Sequence, residues 1–224
     1  MNLQEMEDHI KELEKKVDKL NDIEDIQRLQ KSYGYYIQHW LYQEIIDLFS
    51  DSPDAYLNIM AGIYIGKEGI RRYFTSLKDY SENPEFLHQL MQLSGIVDVA
   101  PDGKTAQGRW FAWGAVALPI GDGVKPLSCD GIYVSEYIKE DGKWKILRLT
   151  WNPLFMSPPS EGWIKKERLA TGAVKLTSIS AKPDKPRDIE PRYPSGYIVP
   201  FHFKHPVTGK KTSEDKRNAK LKRK

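Results

Sequence analysis

The chain has 224 residues, 40% apolar and 29% charged, which suffices for one core domain with appendages but not for two full domains. No apolar run approaches the ~18 residues of a membrane span, and the single cysteine, Cys129, excludes an intrachain disulfide. The net charge of +3 hides an asymmetry: residues 208–224 carry eight Lys/Arg against Glu214 and Asp215, a net of +6, leaving −3 on the remainder. A nucleic-acid-binding domain carries its basic residues on the folded part, so no nucleic-acid partner is expected. The N-terminus bears acidic residues and lacks the apolar h-region of a secretory signal, and the expectation is a cytoplasmic protein.

In chain order, residues 3–20 place Leu3, Met6, Ile10, Leu13, Val17 and Leu20 at alternating spacings of three and four, an a/d seam surrounded by Glu and Lys. At under three heptads it is marginal alone. It reads either as an arm that forms a homo-oligomer (dimer or trimer) or as an amphipathic helix lying on its own domain. Asn21-Asp22 reads as the cap of a second helix, with Ile26, Leu29, Tyr33, Tyr36, Ile37 and Trp40 as its core-facing stripe. A short amphipathic segment, 42–49, ends at Ser50-Asp51-Ser52-Pro53. A small hairpin turns at Ala61-Gly62, and a third helix opens at Gly66 and runs through Ile70, Tyr73, Phe74 and Leu77.

From residue 86 the pattern becomes β. Four long runs, 86–99, 104–117, 128–139 and 143–152, are rich in Val, Ile, Tyr, Trp and Phe. The turns between them are marked by Pro101-Asp102-Gly103, Gly121-Asp122-Gly123 and Asp141-Gly142, the last a tight-hairpin signal. Helices followed by an antiparallel meander predict an α+β fold. Residues 158–206 hold eight of the 14 prolines, together with Trp163, Tyr193, Tyr197, Phe201 and Phe203, a composition too aromatic for a free linker. The expected division is an amphipathic helix over 1–21, a core domain over 22–156, an extended arm over 157–209 and a disordered basic tail over 210–224.

Three stretches carry a resemblance: residues 42–49 (YQEIIDLF), 62–74 (GIYIGKEGIRRYF), and 131–133 (GIY) running on to 140–146 (EDGKWKI). In this order they resemble the SnoaL-like branch of the nuclear transport factor 2-like superfamily, over roughly residues 22–152. The resemblance implies a curved antiparallel sheet wrapped around the helices, leaving a conical pocket. The ending at 193–203 (YPSGYIVPFHF) is similar to a subgroup of cofactorless lyases that release formaldehyde from lignin-derived diaryl compounds. A lyase acting by dehydration or by C–C cleavage with aldehyde loss, or an isomerase, is therefore implied, with no cofactor and a small aromatic or polyketide-like substrate. The alternative is a non-catalytic ligand-holding or assembly module of the same fold.

The family pattern implies the site. Its first-helix Tyr falls on Tyr33, and its Asp five residues later falls on Gln38, whose amide takes no proton. Its catalytic His falls on Leu90, and His88 lies two residues earlier, on the same face of the strand. His88 is thus the candidate base, with Tyr133 as oxyanion donor and Asp130 as the remaining acid. Trp110, on a strand face shared with Gly108 and Ala112, is a candidate stacking surface. Tyr36, Leu90, Gln92, Thr150 and Asn152 complete the expected substrate contacts. His202 and His205 have a metal-like spacing but no third ligand, so no metal site is expected. Arg71 and Arg72 read as a solvated helix face.

Overall fold

A computed structural model describes residues 2–120, 123–162, 180–187 and 198–215. The expected aromatics Trp163, Tyr193 and Tyr197, the Gly121-Asp122 half of one turn and the tail beyond residue 215 lie outside the described residues.

The two helices expected before residue 40 are one. α1 spans Leu3–Gln38 without a break, closed at its start by a capping box in which Asn2 and Glu5 exchange side chain-to-backbone bonds of 2.9 Å. Asp22 is no cap. It sits mid-helix, 6% exposed, and its Oδ1 accepts from Lys139 Nζ at 2.5 Å and Trp144 Nε1 at 2.8 Å. A carboxylate satisfied from across the core has no need of its own backbone, so the helix continues. What changes near residue 21 is the apolar face: the seam and the buried stripe Asp22-Ile26-Gln30-Tyr33-Ile37 lie on nearly opposite sides, roughly 170° apart at ~100° per residue.

After α1 come α2 (Tyr42–Asp47), the hairpin β1 (Tyr56–Ile59) and β2 (Gly62–Ile65), and α3 (Gly66–Thr75). Four long strands follow: β3 (Leu87–Val99), β4 (Thr105–Ile120), β5 (Gly123–Glu140) and β6 (Lys143–Ser157). They form one six-stranded sheet in the order β2-β1-β6-β5-β4-β3, antiparallel except where β1 runs parallel to β6. The α+β architecture is that of a curved sheet wrapped on α1, which packs chiefly on β3. The β5–β6 turn is tight, with Asp141 at φ 49° and Gly142 at φ 76°, the pair of positive angles such a hairpin needs. No helix among the described residues is long and apolar enough to cross a membrane.

Two pieces of the arm are described, and both lie on the sheet domain. Along residues 180–187, Asp184 accepts the Ile65 amide at 2.8 Å and pairs with Arg72 at 2.7 Å, and Lys185 bridges to Ile63. Arg72 is therefore an anchor for the arm while its side chain remains exposed. Along residues 198–215, Arg109 donates to Val199 O at 3.0 Å and stacks over Phe201. His202 Nε2 lies 3.2 Å from Asp98, whereas His205 Nδ1 accepts from the Val207 and Thr208 amides, so the two imidazoles serve separate local contacts. Glu214 is 2% exposed and accepts from the Phe201 amide and the Thr212 hydroxyl, which places the start of the segment expected as free tail against the arm.

Candidate functional site

α1 ends on an unusual residue. Past its last turn, the Leu41 amide reaches back to Tyr36 O at 3.0 Å and the Trp40 amide to Ile37 O at 3.1 Å, the bonding of a Schellman cap. That geometry needs a left-handed residue, usually Gly, yet Trp40 occupies it at φ 51°. The strain has a visible purpose. The indole is turned inward, 2% exposed, donates from Nε1 to Phe74 O at 2.8 Å, and packs on Tyr73, Phe74, Phe86 and His88.

Behind Trp40 is a cavity of about 70 Å³ between α1, the β1–β2 turn, α3 and the inner face of the sheet. Its wall is almost wholly apolar, from Ile37, Ile59, Met60, Leu77 and Leu90 round to Trp151 and Met156. The polar groups that interrupt it are the phenols of Tyr33, Tyr73 and Tyr133, the Cys129 thiol and the His88 imidazole. The space is smaller than the roughly 150 Å³ that takes up a benzene ring. Met60 and Met156 in the wall are unbranched, adaptable side chains, so it is deformable there.

Each polar group is tuned by enclosure. His88 is partly exposed as a residue, but its Nδ1 is sealed and has no hydrogen-bond partner among the described residues. Burial lowers its pKa to about 4, so at neutral pH the ring is an uncharged acceptor. Burial pushes Tyr33, Tyr73 and Tyr133 well above the ordinary phenol range, so all three keep their protons and remain donors. Tyr33 and Tyr133 stand edge to face at 6.0 Å, each the other's polar neighbour. Cys129 is pushed up to about 12, by burial first and Asp130 second, and stays a thiol, a poor nucleophile.

Below the cavity the cone closes on a satisfied polar plug. The Gln30 carboxamide accepts from Tyr137 OH at 2.7 Å and Ser135 Oγ at 3.2 Å, and donates to Gln92 at 2.8 Å. Trp110 Nε1 donates to Tyr137 OH at 3.0 Å.

Residues 18–150 match the family model of the SnoaL-like domain. The chain belongs to the SnoaL-like family. Among solved structures, this SnoaL-like chain is similar to a candidate aromatic ring hydroxylase from Novosphingobium aromaticivorans, with 23% identity, TM-score 0.51, and coverage of 62% of this chain and 93% of the other. A candidate scytalone dehydratase from the same organism matches at 14% identity and TM-score 0.52, covering 66% and 99%. A hexachlorocyclohexane dehydrochlorinase, LinA type 3, from Novosphingobium barchaimii matches at 19% and 0.51, covering 66% and 96%. At these identities the likeness is one of fold. No curated protein matches the chain significantly.

The SnoaL-like cone brings together four of the residues singled out in the sequence: Tyr33, His88, Leu90 and Tyr133 all line the cavity. The others lie elsewhere. Gln38 and Tyr36 flank Ile37 on α1 and point off the cavity-facing stripe, outside the lining. Gln92 belongs to the plug, and its side chain fills the space beside Gly34. Trp110 is 1% exposed and lies so close on the β3 bulge that a Cβ at Gly95 would come within 2.0 Å of its ring, so no face is free for stacking. Asp130 follows Cys129 and by alternation takes the opposite face, paired in register with Trp113; burial raises its pKa, but outside the cavity. Thr150 and Asn152 flank Trp151 on that outer face, where Arg187 of the arm donates to Asn152 Oδ1 at 3.0 Å and to Trp151 O.

The cavity also recruits residues that sequence reasoning passed over as core. Tyr73 and Trp40 had a signal, since both belong to stripes read as core. Trp151 had a weaker one, as the inward neighbour of Thr150 and Asn152.

Proposed function

We propose that the cavity is the active site of a cofactor-independent lyase or isomerase that works by acid–base catalysis on a small aromatic or polyketide-like molecule. One observation carries the reading: a neutral imidazole, its Nδ1 buried with no hydrogen-bond partner among the described residues, stands in the wall of a largely apolar chamber beside the phenols of Tyr33, Tyr73 and Tyr133. A buried acceptor left unpaired costs stability, and a ligand hydroxyl or an acidic C–H is what it lacks. His88 Nδ1 takes that proton, and the released electron pair forms the new double bond. In a dehydration the departing hydroxyl takes that proton back from the His88 imidazolium and leaves as water, which returns the ring to its neutral form. In an aldehyde-releasing cleavage, the O–H electrons become the carbonyl bond, and the C–C pair passes to an electron-deficient ring. The Tyr33 and Tyr133 phenols hold the developing oxyanion, a task that requires them to stay protonated.

The test is turnover of phenolic diols that measurably stabilise the protein, since a ligand at 100 times its dissociation constant adds about 2.7 kcal/mol. Turnover by the wild type and its loss in His88→Asn support the reading. Binding without turnover across such a panel replaces it with the ligand-holding module.

A further inference from the structure

The first 18 residues of α1 form an exposed rod. Every residue from 2 to 21 is exposed, including the whole seam: Leu3 73%, Met6 44%, Ile10 52%, Leu13 46%, Val17 53% and Leu20 66%. A continuous apolar stripe of this length is more than a monomer normally leaves in water. It cannot fold back on its own sheet, because the helix is unbroken through Asp22 and the sheet lies on the opposite side. Nucleation, the costly step for a short helix, is already met by the packed half of α1.

The composition of the seam selects its occupant. The a positions hold Leu3, Ile10 and Val17, and the d positions hold Met6, Leu13 and Leu20. β-branched residues at a with leucine at d favour two parallel strands over three or four. The flanks select the direction. The e positions are acidic at Glu7 and Glu14, and the g positions carry His9 and Lys16. In a parallel pair, g faces the following e of the other strand, so His9 meets Glu14 and Lys16 meets the neutral Asn21. In an antiparallel pair, e meets e and g meets g, so Glu7 meets Glu14 and His9 meets Lys16. The geometry points to a parallel two-stranded coiled coil between residues 3–20 of two copies of this chain, making the protein a dimer joined at its N-terminal arms.

The test uses the full chain. Sedimentation should give a dimer at tens of micromolar, and Leu13→Lys should convert it to monomer with the melting temperature of the sheet domain retained, since Leu13 lies on the exposed arm and outside the buried core. Leu3→Cys reads direction. In a parallel pair the two introduced thiols are adjacent, and mild oxidation should link nearly all of the chain as a covalent dimer. In an antiparallel pair they stand about 25 Å apart at 1.5 Å per residue, and no such link forms. A monomeric wild type, a trimer, or a dimer indifferent to Leu13→Lys overturns the proposal. A Leu13-dependent dimer that Leu3→Cys leaves unlinked overturns its parallel direction.

Discussion

The His88 imidazole stands edge-on to the Trp40 indole, with ring centroids 5.4 Å apart and planes inclined by 60°. The contact packs the ring in an apolar slot without supplying a partner for Nδ1. His88→Ala should lower turnover by about 10²–10⁴, the usual size of a general acid–base contribution, with little change in ligand affinity. Steady-state kinetics with a bound, turned-over diol checks this, and an unchanged rate would move the base elsewhere.

The same enclosure makes folding stability depend on pH through His88. Its pKa is about 4 folded against 6.5 for the free side chain, so between those values the unfolded chain binds the extra proton. The contribution is therefore complete above about pH 6.5 and is lost as the pH falls toward 4, at no more than about 1.4 kcal/mol per unit. Urea unfolding at pH 7 and pH 5 should show the wild type losing about 1–2 kcal/mol more than His88→Gln. Equal losses would mean that the ring is solvated.

Tyr133→Phe removes one of the two facing phenols while keeping the ring against Tyr33 and Trp151. If the hydroxyl stabilises charge that appears only in the transition state, kcat should fall about 10²-fold or more with KM nearly constant. A rise in KM alone would assign the phenol to ground-state binding.

Trp40→Gly sets two effects against each other. Glycine relieves the left-handed backbone by about 1 kcal/mol, but loss of the buried indole costs about 3–5. Net destabilisation of about 2–4 kcal/mol is expected, together with easier entry of ring-sized ligands into the enlarged chamber. Thermal unfolding with and without a phenolic ligand reads both quantities.

Asp22→Ala should cost about 2–3 kcal/mol, because it leaves the Lys139 ammonium and the Trp144 indole N–H without their shared acceptor. Calorimetry would show it. Indifference to the change would mean that water replaces the carboxylate.

The four strands and the third helix were legible because their signals are local: alternation, turn residues and apolar spacing. The Asn21-Asp22 break was misread for the complementary reason. Asp at a phase change looks like a cap, and only Lys139 and Trp144, more than a hundred residues away, show that its carboxylate is spoken for. The site divided in the same way. Tyr33 and Leu90 follow from the family resemblance, and His88 from the alternation that puts it on the same strand face as Leu90. Asp130, Thr150 and Asn152 lie on the outer strand face, while Trp110 is covered by the bulge at Gly95 and Asn152 is met by Arg187 from far along the chain, a contact with no local signal.

Because α1 is unbroken, the seam and Tyr33 are set in angle by nothing except the number of residues between them. Inserting one residue near position 21 would swing the arm by about 100° against the chamber wall and carry it roughly 1.5 Å outward. Inserting seven would return it to within about 20° of its original bearing, displaced by some 10 Å. The helix thus acts as a gearing between the exposed end of the protein and its chamber, tolerant of added length in whole heptads and intolerant of it in single steps.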